Sequence, residues 1–203
     1  MIVIIDYGMG NLGSMANMLK RVGAEATISA DPTVIASADR LILPGVGAFG
    51  NGMEQLTDRG LVPVLNEQVL DRRKPILGVC LGMQLFAAGS DEGGPSGLSW
   101  ISGRSVRFRQ DELGSLKVPH MGWNTVDPER ADPLFEGLGG DARFYFVHSY
   151  HLECDGADRL ATTAYGYRFV SAVRAGNIAG VQFHPEKSHR FGMQVLRNFA
   201  AGV

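Results

Sequence analysis

Three short apolar runs, Ile2–Ile5, Leu41–Leu43 and Ile76–Val79, each lead into a loop that contains glycine. A continuous run rich in β-branched residues marks a strand buried on both faces, and such strands alternating with helices form a parallel sheet covered on both sides. The stretches between the runs carry the helical signal. Leu12, Met15, Leu19 and Val22 recur at helical spacing, with Gly23 placed to end the helix. Ala26–Ile28 reads as a second short strand. Asp31-Pro32 reads as an N-cap with proline at the first helical position, leading into Val34, Ile35 and Ala38. Pro44-Gly45 is expected to stop the strand at Leu43, and Leu61, Val64, Leu65 and Val69 form a further helical stripe.

The second half changes pattern. Trp100–Arg109 and Lys117–Val126 suit short antiparallel strands, and Phe144–His148 is a strand rich in aromatics. Phe169–Val173 and Ile178–Phe183 form a hairpin around Ala175-Gly176-Asn177, and a last helix carries Phe191, Val195, Leu196 and Phe199. With no repeat, low-complexity stretch or linker, the expectation is one three-layer α/β domain over 1–203. Its central sheet is mixed, mostly parallel, and flanked by helices.

Composition removes several classes of function. The formal net charge is −2, from 19 basic and 21 acidic residues, so no basic field for a nucleic-acid backbone is expected. No apolar run approaches the ~20 residues of a membrane span, and the opening Met1-Ile2-Val3-Ile4-Ile5-Asp6 lacks the basic start of a signal peptide. Two cysteines, Cys80 and Cys154, are too few for a disulfide framework. A cytoplasmic protein is expected.

Four segments could carry chemistry. Gly8-Met9-Gly10-Asn11-Leu12-Gly13 is a formal match to the dinucleotide fingerprint, between strand and helix, with Asp31 at about the right distance; a plain structural turn is the other reading. Gly78-Val79-Cys80-Leu81-Gly82 has the form of a nucleophile elbow with cysteine at the turn. There a helix N-terminus favours the thiolate, and the Leu81 N–H can face a developing oxyanion. Cys154, between Glu153 and Asp155, is in no such setting. His184-Pro185-Glu186 follows an apolar strand, and in an extended segment residues two apart share a side, so Glu186 can orient His184 as base. That carboxylate is the ground for preferring His184 to His120, His148, His151 and His189. Pro44-Gly45-Val46-Gly47 can turn backbone N–H groups inward as a second oxyanion donor. No histidine spacing suggests zinc, and no phosphate loop or covalent-cofactor signal is present, so neither metal nor cofactor is expected.

Together, Gly-Val-Cys-Leu-Gly-Met-Gln at 78–84, Gln-Phe-His-Pro-Glu-Lys-Ser at 182–188 and Pro-Gly-Val-Gly at 44–47 resemble the class I (triad) glutamine amidotransferases. Asp-Tyr-Gly-Met-Gly-Asn-Leu at 6–12, Pro-His-Met-Gly-Trp-Asn at 119–124 and Tyr-Phe-Val-His-Ser-Tyr at 145–150 resemble more narrowly the family of glutaminase subunits of imidazole glycerol phosphate synthase. The resemblance runs from first strand to last helix. It implies hydrolysis of L-glutamine to glutamate and ammonia through Cys80, His184 and Glu186, with an oxyanion hole at Val46 and Leu81. It further implies that Gly45, Gly47, Gln84, Glu92, Ser149 and Tyr150 line the glutamine site. Asn11, Met121, Trp123, Tyr145 and Lys187 match positions that meet or gate the partner, a (β/α)8-barrel cyclase forming a heterodimer and receiving the ammonia for histidine biosynthesis. On this resemblance Gly8–Gly13 is an amidotransferase loop. The alternatives are a glutaminase serving another class I amidotransferase, and a dinucleotide-binding module built on Gly8–Gly13.

Overall fold

The computed structural model describes residues 1–202. In chain order its elements are β1 (Ile2–Ile5), α1 (Leu12–Arg21), β2 (Ala26–Ser29), α2 (Pro32–Ser37), β3 (Arg40–Gly45), α3 (Phe49–Asp58), α4 (Leu61–Asn66), β4 (Ile76–Cys80) and α5 (Leu81–Gln84). There follow β5 (Gly89–Ser90), β6 (Arg104–Arg107), β7 (His120–Thr125), β8 (Asp127–Pro128), β9 (Arg143–His148), β10 (Tyr150–Glu153), β11 (Arg159–Tyr165), β12 (Tyr167–Ala175), β13 (Ile178–Val181) and α6 (His189–Ala201). The main sheet runs β2-β1-β3-β4-β13-β12-β10-β6-β5, parallel from β2 to β13 and antiparallel from β13 to β6, while β11 and β8 extend from β12. β7 and β9 form a separate antiparallel pair.

Alternation along the strands explains the layers, because successive side chains point to opposite faces. Ile2, Ile4, Ile42, Leu77 and Val79 share one buried cluster with Met15 and Leu19 of α1 and Val195, Leu196 and Phe199 of α6. Val3, Ile5, Leu41, Leu43 and Ile76 belong to the other, with Ile35, Met53, Leu56, Leu61 and Leu65 from α2–α4. Each such side chain gains about 1.5–3 kcal/mol from burial.

Several elements depart from the sequence reading. β3 does not stop at Leu43 but continues through Pro44 to Gly45, which pairs with Cys80. β1 pairs with β3 only as far as Ile42, leaving a free edge on which proline is tolerated. Helix α3 carries no clear signal in the sequence, because Gly50, Asn51 and Gly52 mask its stripe of Phe49, Met53 and Leu56. Gly52 allows close packing on α5, since a Cβ there would meet methyls of Leu81 and Leu85 at 3.2 Å. The stripe Leu61–Val69 begins as α4 and widens into a π-turn over Glu67–Asp71. Of Trp100–Arg109 only Arg104–Arg107 is strand, and β10 and β11 carried no recognised signal. No described helix is long and apolar enough to cross a membrane.

Candidate active site

β3, β4 and β13 are neighbouring parallel strands, so their carboxyl ends lie at one edge of the sheet, where open α/β folds place their sites. Cys80 ends β4 with φ +55° and ψ −111°, a strained turn that lifts the side chain out of the strand. The flanking glycines serve close approach. A Cβ on Gly78 would lie 2.6 Å from the Phe86 ring, and one on Gly82 would overlap the Leu43 carbonyl. Gly45, beside Cys80 on β3, leaves room in the same way for the Tyr7 hydroxyl. That hydroxyl is buried without a hydrogen-bond partner, and burial, then the nearby Cys80, push the phenol far up, so it stays neutral.

On the other side of Cys80, the chain leaving β13 brings in His184. Its Nδ1 lies 2.9 Å from Oε1 of Glu186, both side chains being buried. The contact is made, but not by the extended segment expected. Pro185–Lys187 form a 3-10 turn, and this turn folds the carboxylate back onto the ring. Ser188 fixes the turn by donating from Oγ to the His184 carbonyl (2.6 Å) and accepting from the Tyr145 N–H (2.9 Å). Nε2 of His184 and Oε2 of Glu186 are buried without hydrogen-bond partners. Burial lowers the His184 pKa, but the neighbouring Cys80 and Glu186 outweigh it and raise it to about 10, which favours the protonated ring. Sequence spacing alone did not single out this pair, since Glu153 also lies two residues after His151. There, however, Glu153 pairs with Arg109 at 2.8 Å and His151 Nε2 meets the Tyr167 hydroxyl at 2.7 Å.

A cavity of about 360 Å³ opens onto Cys80. Val46, Gly47, Leu81, Gln84, Glu92, Ser149 and Tyr150 line it, joined by Pro119, Val147 and His148, which the sequence did not single out. Glu92 accepts the Phe49 N–H at the start of α3 (2.7 Å), tying the cavity rim to the loop after Gly47. Gln84 donates from Nε2 to the Tyr150 carbonyl (2.9 Å) and to Oε1 of Gln182 (3.0 Å), and Gln182 Nε2 lies 3.7 Å from Cys80 Sγ. A cysteine, a histidine held by a carboxylate and a largely apolar cavity with a few polar groups, Gln84, Glu92 and Ser149 among them, suit nucleophilic acyl transfer.

The remaining residues lie elsewhere. Met121 and Trp123 project from β7 with 62% and 46% of their surface exposed. Trp123 is therefore not a core residue; it stacks on His189 at 5.3 Å, and Tyr145 packs edge-on at 6.1 Å. Lys187 sits over the Tyr145 ring at 5.7 Å, and Asn11 caps α1 by accepting the Ser14 N–H at 3.2 Å. The dinucleotide reading finds little support here. Asp31 is engaged as the cap of α2, accepting the Thr33 N–H at 2.7 Å, and Gly13 has nothing within 4 Å of its Cβ position, whereas the fingerprint needs that glycine for close packing. Cys154 is pushed up to about 11 by burial and then by Asp158, so its thiol stays protonated. Among the described residues no group of three or more His, Cys, Asp or Glu side chains could hold a metal ion.

The family profile described as glutamine amidotransferase class-I matches residues 3–203. The imidazole glycerol phosphate synthase subunit HisH 2 of Pseudomonas aeruginosa is 54% identical over 201 residues, covering 98% of this chain and 98% of its own. The subunit of the same description from Methanococcus maripaludis is 49% identical over 200 residues, again covering 98% of each. Among solved structures, one described as a glutamine amidotransferase aligns with a TM-score of 0.74 at 20% identity, covering 99% of both chains. A chain of PurLQS from Thermotoga maritima aligns with a TM-score of 0.74 at 16% identity, covering 98% of this chain and 96% of its own. The structural likenesses establish the shared fold.

Proposed function

Because this chain belongs to the class I glutamine amidotransferases, and within them to the HisH subunits of imidazole glycerol phosphate synthase in histidine biosynthesis, we propose that Cys80, His184 and Glu186 are its glutaminase triad. The observation that carries this reading is the strained Cys80 turn, which opens on the cavity with Gly45 beside it on β3 and the His184–Glu186 pair on the chain that leaves β13. Cys80 Sγ, as thiolate, attacks the side-chain amide carbon of glutamine. The oxygen takes up negative charge, facing the N–H groups of Leu81 and of the Val46 turn. The His184 imidazolium gives its Nε2 proton to the amide nitrogen, the C–N bond breaks, and ammonia leaves. Water then adds to the γ-glutamyl thioester as Nε2 takes its proton, the C–S bond breaks, and glutamate departs with the thiolate restored. Glu186 holds the ring in the working tautomer throughout.

Gly45, Gly47, Gln84, Glu92, Ser149 and Tyr150 hold the glutamine in this reading. Ammonia released into water would be protonated and lost as a nucleophile, so it passes directly to a (β/α)8-barrel cyclase. That subunit docks on the surface around Met121, Trp123, Tyr145, Lys187 and Asn11. Met121 and Trp123, two residues apart on β7 and so on one side of it, form an adjoining exposed apolar pair that supports this choice of face. Glutamate release by the chain with and without the liganded cyclase tests the proposal, with Cys80→Ala as control. Stimulation by the cyclase and loss in the control support it; activity indifferent to the cyclase moves the chain to another amidotransferase partner.

A further inference from the structure

We propose that Gln182 is a catalytic residue of this site, donating its Nε2–H to the Cys80 sulfur and holding that sulfur as a thiolate aimed at the cavity. The inference rests on the reading of Cys80 as nucleophile. β13 pairs with β4 in parallel register as far as Val181 and Val79, so the next step along each strand places Gln182 beside Cys80. Gln182 is 0% exposed. An amide taken that far from water is costly unless its groups are paired, and a leucine would fill the space without that cost.

The orientation of the amide follows from a backbone group. The Tyr150 carbonyl can only accept, so the end of Gln84 that lies 2.9 Å from it is the Nε2 amide. The same nitrogen is 3.0 Å from Gln182, whose facing atom must therefore be Oε1. Gln182 is thereby left with its nitrogen turned to Cys80 Sγ, at 3.7 Å. A neutral thiol sulfur is a weak acceptor, whereas a hydrogen bond to a charged group is about twice as strong as a neutral one. The contact thus favours the ionised sulfur over both thiol and thioester. In the second half-reaction the C–S bond breaks and its electron pair returns to Sγ, where the Gln182 N–H meets the developing charge. The oxyanion donors act on the substrate oxygen, His184 on the leaving nitrogen, and Gln182 on the sulfur.

The test uses the subunit bound to its cyclase, in a Cys154→Ser background so that Cys80 is the sole thiol of the subunit, whose alkylation is followed by its intact mass. Gln182→Leu is compared with the parent for the pH dependence of Cys80 alkylation by iodoacetamide, and for kcat and KM with glutamine. The expected result is an alkylation midpoint raised by about one pH unit and kcat lowered about tenfold, the scale of one hydrogen bond to a charged group, with KM within about twofold. An unmoved midpoint in a folded variant, or a change confined to KM, overturns the inference. If Gln182→Leu has no cooperative melting transition, Gln182→Met carries the same test, and failure of both to fold makes the residue structural and overturns it as well. Cys80→Ala separates the two levels. Retained hydrolysis there defeats the triad, whereas an inactive Cys80→Ala with a parent-like Gln182→Leu defeats only the role of Gln182.

Discussion

His120 Nδ1 lies 3.0 Å from His148 Nε2, and the pair is buried between β7 and the strands beneath it. Their tautomers follow from their neighbours. His148 Nδ1 donates to the Tyr150 carbonyl at 2.8 Å, so its Nε2 accepts from His120; the Asn124 amide, 3.3 Å away, then donates to His120 Nε2. Both rings must be neutral for this chain to exist. Burial pulls His120 down to about 4, and burial followed by the neighbouring His120 holds His148 well below its usual range. A histidine with a depressed folded pKa contributes stability that is fully present above the unfolded value of ~6.5 and lost as pH falls below it. Thermal unfolding followed from pH 7.5 to 4.5 should therefore show Tm falling below about pH 6.5, with a shallower fall in His120→Gln.

His184 gives the opposite sign at the other end of the pH scale. Its pKa is raised from 6.5 to about 10, so its contribution is complete below about pH 6.5 and is lost as pH rises through about 10. Glu186→Gln removes one of the two groups that hold it up. Its alkaline unfolding limb should move to lower pH, and kcat for glutamine should drop on the order of a hundredfold. A pH-stability profile and steady-state kinetics on the same variant check both.

Gly82→Ala places a methyl group on the Leu43 carbonyl, which belongs to the neighbouring strand and cannot yield as a side chain would. Overpacking of this kind costs ~1–3 kcal/mol. Denaturant unfolding should show that loss, together with reduced glutamine turnover, because the Cys80 turn is displaced. Gly13→Ala, with open space at its Cβ, should be close to neutral.

If the proposed face is the docking face, Trp123→Ala should weaken cyclase binding by about 2 kcal/mol, roughly thirtyfold in Kd, the scale of a large aromatic anchor. Titration calorimetry with the purified cyclase measures it. Far-UV circular dichroism should be unchanged, because Trp123 is half-exposed on an outer strand.

The parallel half of the fold was legible because Ile2–Ile5, Leu41–Leu43 and Ile76–Val79 are buried on both faces and therefore read as unbroken apolar runs. Helix α3 was not, since Gly50 and Gly52 are present for packing against Gly94 and α5 rather than for helix propensity. Pro44 misled for a related reason: a proline usually closes a strand, but here it sits where β1 no longer pairs. At the site, the glycines around Cys80 are readable, but the His184–Glu186 spacing is shared by His151–Glu153, and only the fold, with a 3-10 turn rather than extended chain after His184, separates the two. Gln182 and His148 were not singled out. His148 meets the Tyr150 carbonyl, and the Gln182 amide is turned toward Cys80 through Gln84, whose Nε2 donates to that same carbonyl 66 residues away, a placement that only the packing of β10 against its neighbours supplies.

The most direct test is glutamate release from glutamine by the subunit in complex with its liganded cyclase, parent against Cys80→Ala, with intact-mass detection of a γ-glutamyl adduct in the parent. The account predicts turnover and a transient adduct on Cys80 in the parent, and neither in the variant. Sustained glutamate release by Cys80→Ala would contradict it.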